Sequence, residues 1–374
     1  MMAPHAGLER RVVSALEATP PRIPVVLGGC GSGRTTAMHS LTERLGRDQC
    51  QYIDVERSAS TPERFFRAVT AASPFLPLAS STPRSAREAF ELTLSYLSQA
   101  RSGNRPATIL LDEVLELRTF ESFPGLRHVL RELLQSLAES GNRFVLTSRY
   151  VARAHRLLRD GSPRFEVIHL PALSPSEVTA MLPPMSDTGA EDREFLSRTI
   201  QALADGRAAY VHAISEASTG AGGRAGDPIS ALTALLTSDG ALTAWCAYRY
   251  EIRLHRARGY GALKAILEIL AEEEPLTLTE IALRLQRTPG STKDYLSWLE
   301  DVDLVVSRQK RYSFSDPLLR LWVRLHCRPV PPGVDEVARE VQNYALARLP
   351  QPEPSMAMVG AGADRKGWGI IEID

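Results

Sequence analysis

The sequence predicts an α/β fold, a three-layer domain around a central parallel sheet, followed by helices and a small C-terminal module that ends in a β-hairpin. Three observations predict it. Residues 25–36, VVLGGCGSGRTT, set a glycine-rich turn between an apolar strand and a helix. Residues 109–113, ILLDE, form a short apolar run ending in two adjacent carboxylates, the pattern of a central strand buried on both faces. Strand and helix patterns alternate as far as residue 170, and after Pro171 the pattern is helical.

Taken in order, residues 6–18 place Leu8, Val12, Val13 and Leu16 at helical spacing, and Pro20, Pro21 and Pro24 stop that helix ahead of an apolar strand at 23–28. The turn at 28–34 leads into a helix, TTAMHSLTERLG, with Gly46 as its C-terminal cap. QYIDV at 51–55 reads as a second strand and 62–72 as a helix; a proline-rich connector, SPFLPLASSTP, then precedes a helix over about 84–101. After the ILLDE strand, residues 121–140 predict one amphipathic helix on Phe123, Leu126, Val129, Leu130, Leu133, Leu134 and Leu137, ended by Gly141. Phe144, Val145 and Leu146 make the next strand, VARAHRLLRD a helix, and FEVIHL at 165–170 the fifth strand.

Beyond Pro171, helices are expected over about 175–183, 191–204 and 206–217, then a Gly-rich linker, STGAGGRAGDP at 218–228, and one long helix over roughly 228–258. Residues 260–326 read as a winged helix-turn-helix: GALKAILEILAEEE, TLTEIALRLQ, the turn RTPG, STKDYLSWLEDV, then LVVSR and RYSFS as strands around Gln309 and Lys310. An amphipathic helix, VDEVAREVQNYALARL, precedes a low-complexity tail that ends in WGIIEID. Glu372 and Asp374 there invite a nuclease-like reading, but the further Glu and Lys that such a site needs are missing, and no nuclease activity is expected.

Composition excludes several classes. The chain has 374 residues, 44% hydrophobic and 24% charged, enough for two or three domains with real cores and too apolar for a disordered protein. Lys+Arg and Asp+Glu are both 44, so no global field draws it to nucleic acid or to acidic membranes, and any nucleic-acid surface must be local. Cys30, Cys50, Cys246 and Cys327 follow no CxxC or Cys/His spacing, so neither a disulfide framework nor a zinc site is expected. With no apolar run of about 18 residues and no signal-like N-terminus, no membrane partner and a cytoplasmic location are expected.

The chemistry concentrates at one predicted sheet edge. The turn fits the phosphate-loop pattern GxxxxGK[ST] at every position but one, because Arg34 stands where Lys is expected. Its glycines let backbone N–H groups reach a polyphosphate, and the helix that begins near Arg34 adds its positive dipole end. Thr35 sits where a hydroxyl would ligate Mg²⁺. In parallel sheets ligands bind at the carboxyl ends of the strands, where Asp112 would hold Mg²⁺ and Glu113 would polarise an attacking water. Thr147, Ser148 and Arg149 arrive at the same edge.

The loop GGCGSGRT, the ILLDE strand, the LTSR strand end and the phrase FEVIHLPALSPSEV together resemble the AAA+ and STAND class of P-loop ATPases, in particular the archaeal-type ATPases related to replication initiators. DPLLRLWVRLH after the hairpin adds to the resemblance. It implies a P-loop NTPase, AAA+-like fold of five parallel strands (1–171), a helical lid (172–218), a linker and connecting helix (219–258), a winged helix-turn-helix (259–328), and a C-terminal helix and mobile tail (329–374). It also implies ATP and Mg²⁺ as ligands. Gly28, Gly29, Cys30, Gly31, Ser32, Gly33, Arg34, Thr35 and Thr36 would hold the phosphates, with Thr35 and Asp112 on the metal.

Glu113 would activate water, Arg149 would read the γ-phosphate, and Arg207, in ALADGRAAYVHAI, would be a second sensor, although Ala208 replaces the usual Pro. Relatives complete the site with an arginine from a neighbouring subunit of a homo-oligomer; Arg153, Arg156 and Arg159 are near the expected place. The winged helix would meet duplex DNA through Ser291, Thr292, Lys293, Tyr295, Arg308, Lys310 and Arg311, or else a protein partner. The functions left open are an ATP-hydrolysing switch and a nucleotide-responsive DNA-binding or scaffold protein that turns ATP over negligibly because of Arg34.

Overall fold

The structure is a computed structural model that describes residues 6–71, 73–75, 82–183, 189–219, 226–255 and 259–349. The tail with Glu372 and Asp374, and most of the Gly-rich linker, lie outside these residues. Five strands, β1 (Ile23–Leu27), β2 (Cys50–Asp54), β3 (Thr108–Asp112), β4 (Arg143–Ser148) and β5 (Phe165–His169), form a parallel sheet in the order β2-β3-β4-β1-β5.

Period-two alternation along the central strands explains the three layers. Val26, Leu110, Val145 and Ile168 point to one face, where Leu8, Val12, Leu16, Ala37, Met38 and Leu41 of helices Ala6–Glu17 and Arg34–Leu45 cover them. Val25, Leu27, Ile109, Leu111, Phe144 and Leu146 point to the other face, against Phe90 and Leu97 of helix Ala86–Gln99 and Leu133 and Leu137 of helix Val129–Glu139. That second core runs on without a break into the C-terminal helices. The register pairs Asp54 with Asp112 and Leu27 with both Ser148 and His169, so the polar strand ends share one edge.

The chain departs from the expected elements at several places, three of which bear on its architecture. The helix expected over 121–140 is two pieces, a 3-10 helix at Val114–Ser122 and an α-helix at Val129–Glu139, because Pro124 and Gly125 (φ 79°) turn the chain between them. The long helix expected over 228–258 is likewise broken, into Pro228–Leu235 and Ala241–Leu254. Gly240 makes that return: a Cβ there would lie 2.2 Å from the Leu235 carbonyl oxygen, closer than any side chain permits. A two-residue strand, Leu276–Thr277, adds a third strand to the C-terminal hairpin.

Helices Pro175–Met181, Ala190–Leu203 and Ala208–Ala217 follow the sheet, the first started by a reciprocal Ser174–Glu177 capping box. Helices Tyr260–Glu272, Leu278–Leu285 and Pro289–Asp301 precede a hairpin, Val305–Arg308 with Arg311–Phe314, whose tip residues Gln309 and Lys310 both have positive φ, as a tight two-residue turn requires. Helices Pro317–His326 and Val334–Leu346 close the described chain. Among the described residues no helix is long and apolar enough to cross a membrane.

Candidate functional site

The loop after β1 turns through Gly31 (φ 75°) and Gly33 (φ 96°) into helix Arg34–Leu45, and no side chain caps that helix start, so its first-turn N–H groups keep their need for an acceptor. Above it lies a cavity of about 350 Å³, lined by Gly31 to Thr36 from the loop and by Met181, Ala208, Ala209 and His212 from the helices that follow the sheet. Those helices are bonded to the loop: Ala209 N donates to Gly31 O at 3.0 Å, and Arg207 donates to Cys30 O at 3.1 Å.

Arg34 does not reach into this cavity as an extended arm. Its guanidinium folds back, 7% exposed, donating to the carbonyls of Gly28 and Gly29 (2.6 Å to the latter), to Ser32 Oγ at 3.3 Å, and to the Glu113 carboxylate. Its buried Nε finds no acceptor among the described residues.

Asp112 closes β3 as a hub. Its Oδ2 accepts from Thr35 Oγ1 at 2.8 Å and from Tyr52 OH at 2.9 Å, and its Oδ1 from Thr147 Oγ1. Glu113, in the left-handed region at φ 58°, donates its N–H to Thr147 Oγ1 at 2.9 Å and accepts from the Arg149 N–H at 3.0 Å. Burial alone would push the Glu113 carboxyl up; Arg34 and Arg149 outweigh it and hold the group below the ordinary carboxylate range, hence ionised. The Arg149 guanidinium turns away toward the carboxylates of Glu56 (2.7 and 3.1 Å) and Glu116, lies over the Tyr150 ring, and approaches Glu113 only through Nε at 3.9 Å.

A second layer of charge covers the loop from the C-terminal side. Arg207 also donates to Ser315 O and lies 3.6 Å from Asp316 Oδ2. Asp316, 1% exposed, starts helix Pro317–His326 by accepting from Leu318 N and Leu319 N, and also accepts from Tyr210 OH at 2.8 Å, with Arg249 at 3.7 Å. Burial raises its carboxyl, but Arg207 and Arg249 together bring it below the usual range, while Arg249 itself is lowered by burial to about 10. A Cβ built on Gly29 would meet Asp303 Oδ2 at 3.1 Å, and one on Gly31 the Trp245 ring at 2.8 Å, so the module around the hairpin and helix Ala241–Leu254 both sit directly on the loop.

The expected site residues therefore assemble at one sheet edge, with two qualifications: Arg34 and Arg149 spend their charge on protein carboxylates, and Asp112 and Glu113 lie outside the lining of the loop cavity, beyond Arg34. Arg153, Arg156 and Arg159 belong to helix Val151–Leu158 and its end; Arg153 and Arg156 line a different cleft. In the C-terminal module, Thr292 is buried and bonded to Thr288 O at 3.0 Å, which corrects its expected exposure, and Tyr295 packs against Gly259; Lys293, Arg308, Lys310 and Arg311 are exposed. Tyr52, Glu56, Glu116, Trp245, Asp303 and Asp316 were not legible as site residues. Asp316-Pro317 reads as a helix start, which it is, and nothing local signals its partners Arg207 and Tyr210.

The chain is similar in structure to the Walker-type ATPase PABY2304 of Pyrococcus abyssi, with a TM-score of 0.64 at 17% identity over 86% of this chain and 96% of that one. The fold is that of the P-loop NTPases. The Orc1 protein of Aeropyrum pernix, solved in complex with DNA, is a more distant likeness, with a TM-score of 0.44 at 17% identity over 93% and 95% of the two chains. No protein-family model and no curated protein matches the sequence. Within the P-loop NTPase fold, β1 carries the phosphate-loop pattern and β3 the paired carboxylates, on strands separated by β4 alone.

Proposed function

We propose that this chain binds ATP with Mg²⁺ at the loop of residues 28–36 and acts as a nucleotide-dependent switch, with hydrolysis as its reset. The observation that carries the reading is the Thr35–Asp112 hydrogen bond, 2.8 Å, which joins the first turn of the loop helix to the end of β3. The donor set fits the metal: a hydroxyl and a carboxylate are the hard oxygen ligands Mg²⁺ takes, with Tyr52 and Thr147 fixing the carboxylate. Thr35 and Asp112 would hold Mg²⁺, which would supply neutralisation of phosphate charge. The loop fits a polyphosphate through its uncapped helix start and through Arg34 Nε, which has no acceptor among the described residues.

In this reading the protein groups have separate tasks. Gly28 to Thr36 cradle phosphates, Thr35 and Asp112 hold the metal, and Glu113, kept ionised by Arg34 and Arg149, accepts a proton from water. Arg149 and Arg207 sense occupancy, Arg207 because it bonds the loop at Cys30 and the hairpin end at Ser315. The reading takes residues 172–218 as a lid and 259–328 as a winged helix whose position follows the nucleotide. Its outward partner would be duplex DNA or a protein met through Lys293, Arg308, Lys310 and Arg311, and a second copy would supply any further arginine.

A second reading, a nucleotide-responsive scaffold with negligible hydrolysis, is favoured by one observation, the Arg34–Glu113 ion pair, which occupies the charge-sensing cation and the water-activating carboxylate with each other. ATP binding and turnover of the wild type against Glu113→Gln separate the two. Turnover that falls to background in the variant, with ATP binding retained, supports the switch; equal near-background rates in both support the scaffold; and no ATP binding in either sinks both.

A further inference from the structure

Away from the loop, helices Val129–Glu139 and Val151–Leu158, with the turn before the first, border a separate open cleft of about 280 Å³. Two arginines face it from each side. Arg127, just ahead of helix Val129–Glu139, and Arg131, in its first turn, lie on one side; Arg153 and Arg156, three apart on helix Val151–Leu158 and so on one helical face, lie on the other. His128 completes the polar rim, Leu130 and Leu157 the apolar floor, and Glu121 is the one carboxylate in the lining.

Of these four arginines, Arg156 alone is ion-paired among the described residues. Arg156 reaches Asp301. Among the described residues, Arg127, Arg131 and Arg153 make no ion pair and no hydrogen bond, although the neighbouring Arg87 pairs with both Glu91 and Glu132. Arg153 is half-buried, and burial first, then repulsion from Arg118 and Arg156, hold its guanidinium below the ordinary arginine range, with Glu121 offsetting only part. Like charges gathered around a half-buried arginine repel one another until an anion arrives.

We propose that this cleft is a second anion site, taking a compact phosphate-bearing ligand whose phosphate is gripped between Arg131 and Arg153. Phosphate is the chemistry that matches: the planar guanidinium offers paired N–H donors to two oxygens of one phosphate, and opposed arginines can clamp it from both sides. A compact ligand matches better than a nucleic-acid strand, because the groove leads at one end to Glu139 and Asp160 and at the other to Glu121, carboxylates that a continuous polyanion would have to pass. The site shares no lining residue with the loop cavity and does not depend on ATP binding there.

The test titrates the full chain with inorganic pyrophosphate and follows hydrogen exchange in residues 127–131 and 151–157, segments that line the cleft and not the loop cavity. Pyrophosphate is expected to slow exchange in both segments, with an apparent Kd raised at least tenfold in Arg131→Gln/Arg153→Gln. Because Arg127 and Arg131 are exposed, Arg127→Gln/Arg131→Gln provides a variant that leaves packing intact and should weaken binding in the same way. Unchanged exchange at saturating pyrophosphate, or equal affinity in the variants, overturns the site. An unphosphorylated oligonucleotide that protects these segments while pyrophosphate does not overturns the compact-ligand assignment, and a poly-glutamate peptide that binds as tightly overturns the preference for phosphate.

Discussion

Arg34 and Glu113 form a buried ion pair across the sheet edge, 7% and 5% exposed, joining the loop after β1 to the end of β3. A lysine at residue 34 would carry the same charge but could not donate at once to Glu113, two loop carbonyls and Ser32 as the forked guanidinium does. What the arginine adds is the simultaneous grip on the loop and on Glu113, and that grip links the rate of any hydrolysis to how readily Arg34 lets go.

Replacing Arg34→Lys should raise kcat for ATP by about tenfold, the effect of easing release by one hydrogen bond of roughly 1.4 kcal/mol. Steady-state kinetics beside an ATP-binding isotherm measure it. Unchanged kcat with normal ATP affinity would show that the ion pair does not limit turnover.

Thr35→Ala should weaken ATP binding in the presence of Mg²⁺ by about 10- to 100-fold, the value of one contact to a charged group. Binding in chelator should hardly change. Calorimetry with and without Mg²⁺ gives both numbers, and equal losses in the two conditions would remove Thr35 from the metal.

Asp316→Asn keeps the oxygen that starts helix Pro317–His326 but removes the charge facing Arg207 and Arg249. At neutral pH the variant should lose about 3–5 kcal/mol of stability, the cost of breaking a buried pair. Because the folded Asp316 lies below its ordinary value, its contribution is fully present above the unfolded pKa of about 3.9 and is lost as pH falls through the lower folded value. Urea denaturation should find the gap between wild type and variant narrowing as pH falls from about 5 to about 3. A constant gap would mean the carboxylate's charge is not what stabilises.

Arg207→Ala should loosen the hairpin more than the sheet, since Arg207 ties Cys30 O to Ser315 O. Amide exchange in residues 305–314 is expected to quicken by about tenfold, with β1 and β3 unchanged. Equal acceleration everywhere would indicate global destabilisation, with Arg207 holding no particular joint.

Much of this protein was legible in the chain itself. The apolar alternation of Val25 to Leu27, Ile109 to Leu111 and Phe144 to Leu146 dictates a sheet covered on both faces, and the glycine spacing of residues 28–33 dictates a loop that only a strand-to-helix turn can use. Local signals also placed Asp112, Glu113 and Arg149 at one edge, because strand ends in a parallel sheet share a direction.

Where those side chains spend their charge was decided by the tertiary structure. Partners such as Glu56 and Glu116 for Arg149, or Asp316 for Arg207, come from elements far apart in sequence, and Coulomb attraction in a buried site selects among them only once packing has set the distances. The burial of Thr292 is of the same kind, since periodicity records that a face is apolar and not which neighbour arrives to cover it, whereas the breaks at Gly125 and Gly240 are local, made by residues the chain itself carries there. The sequence determined a phosphate-loop α/β fold with a carboxylate pair beside the loop; packing alone determined that Arg34 closes on Glu113 and that Arg207 bolts the loop to the hairpin end.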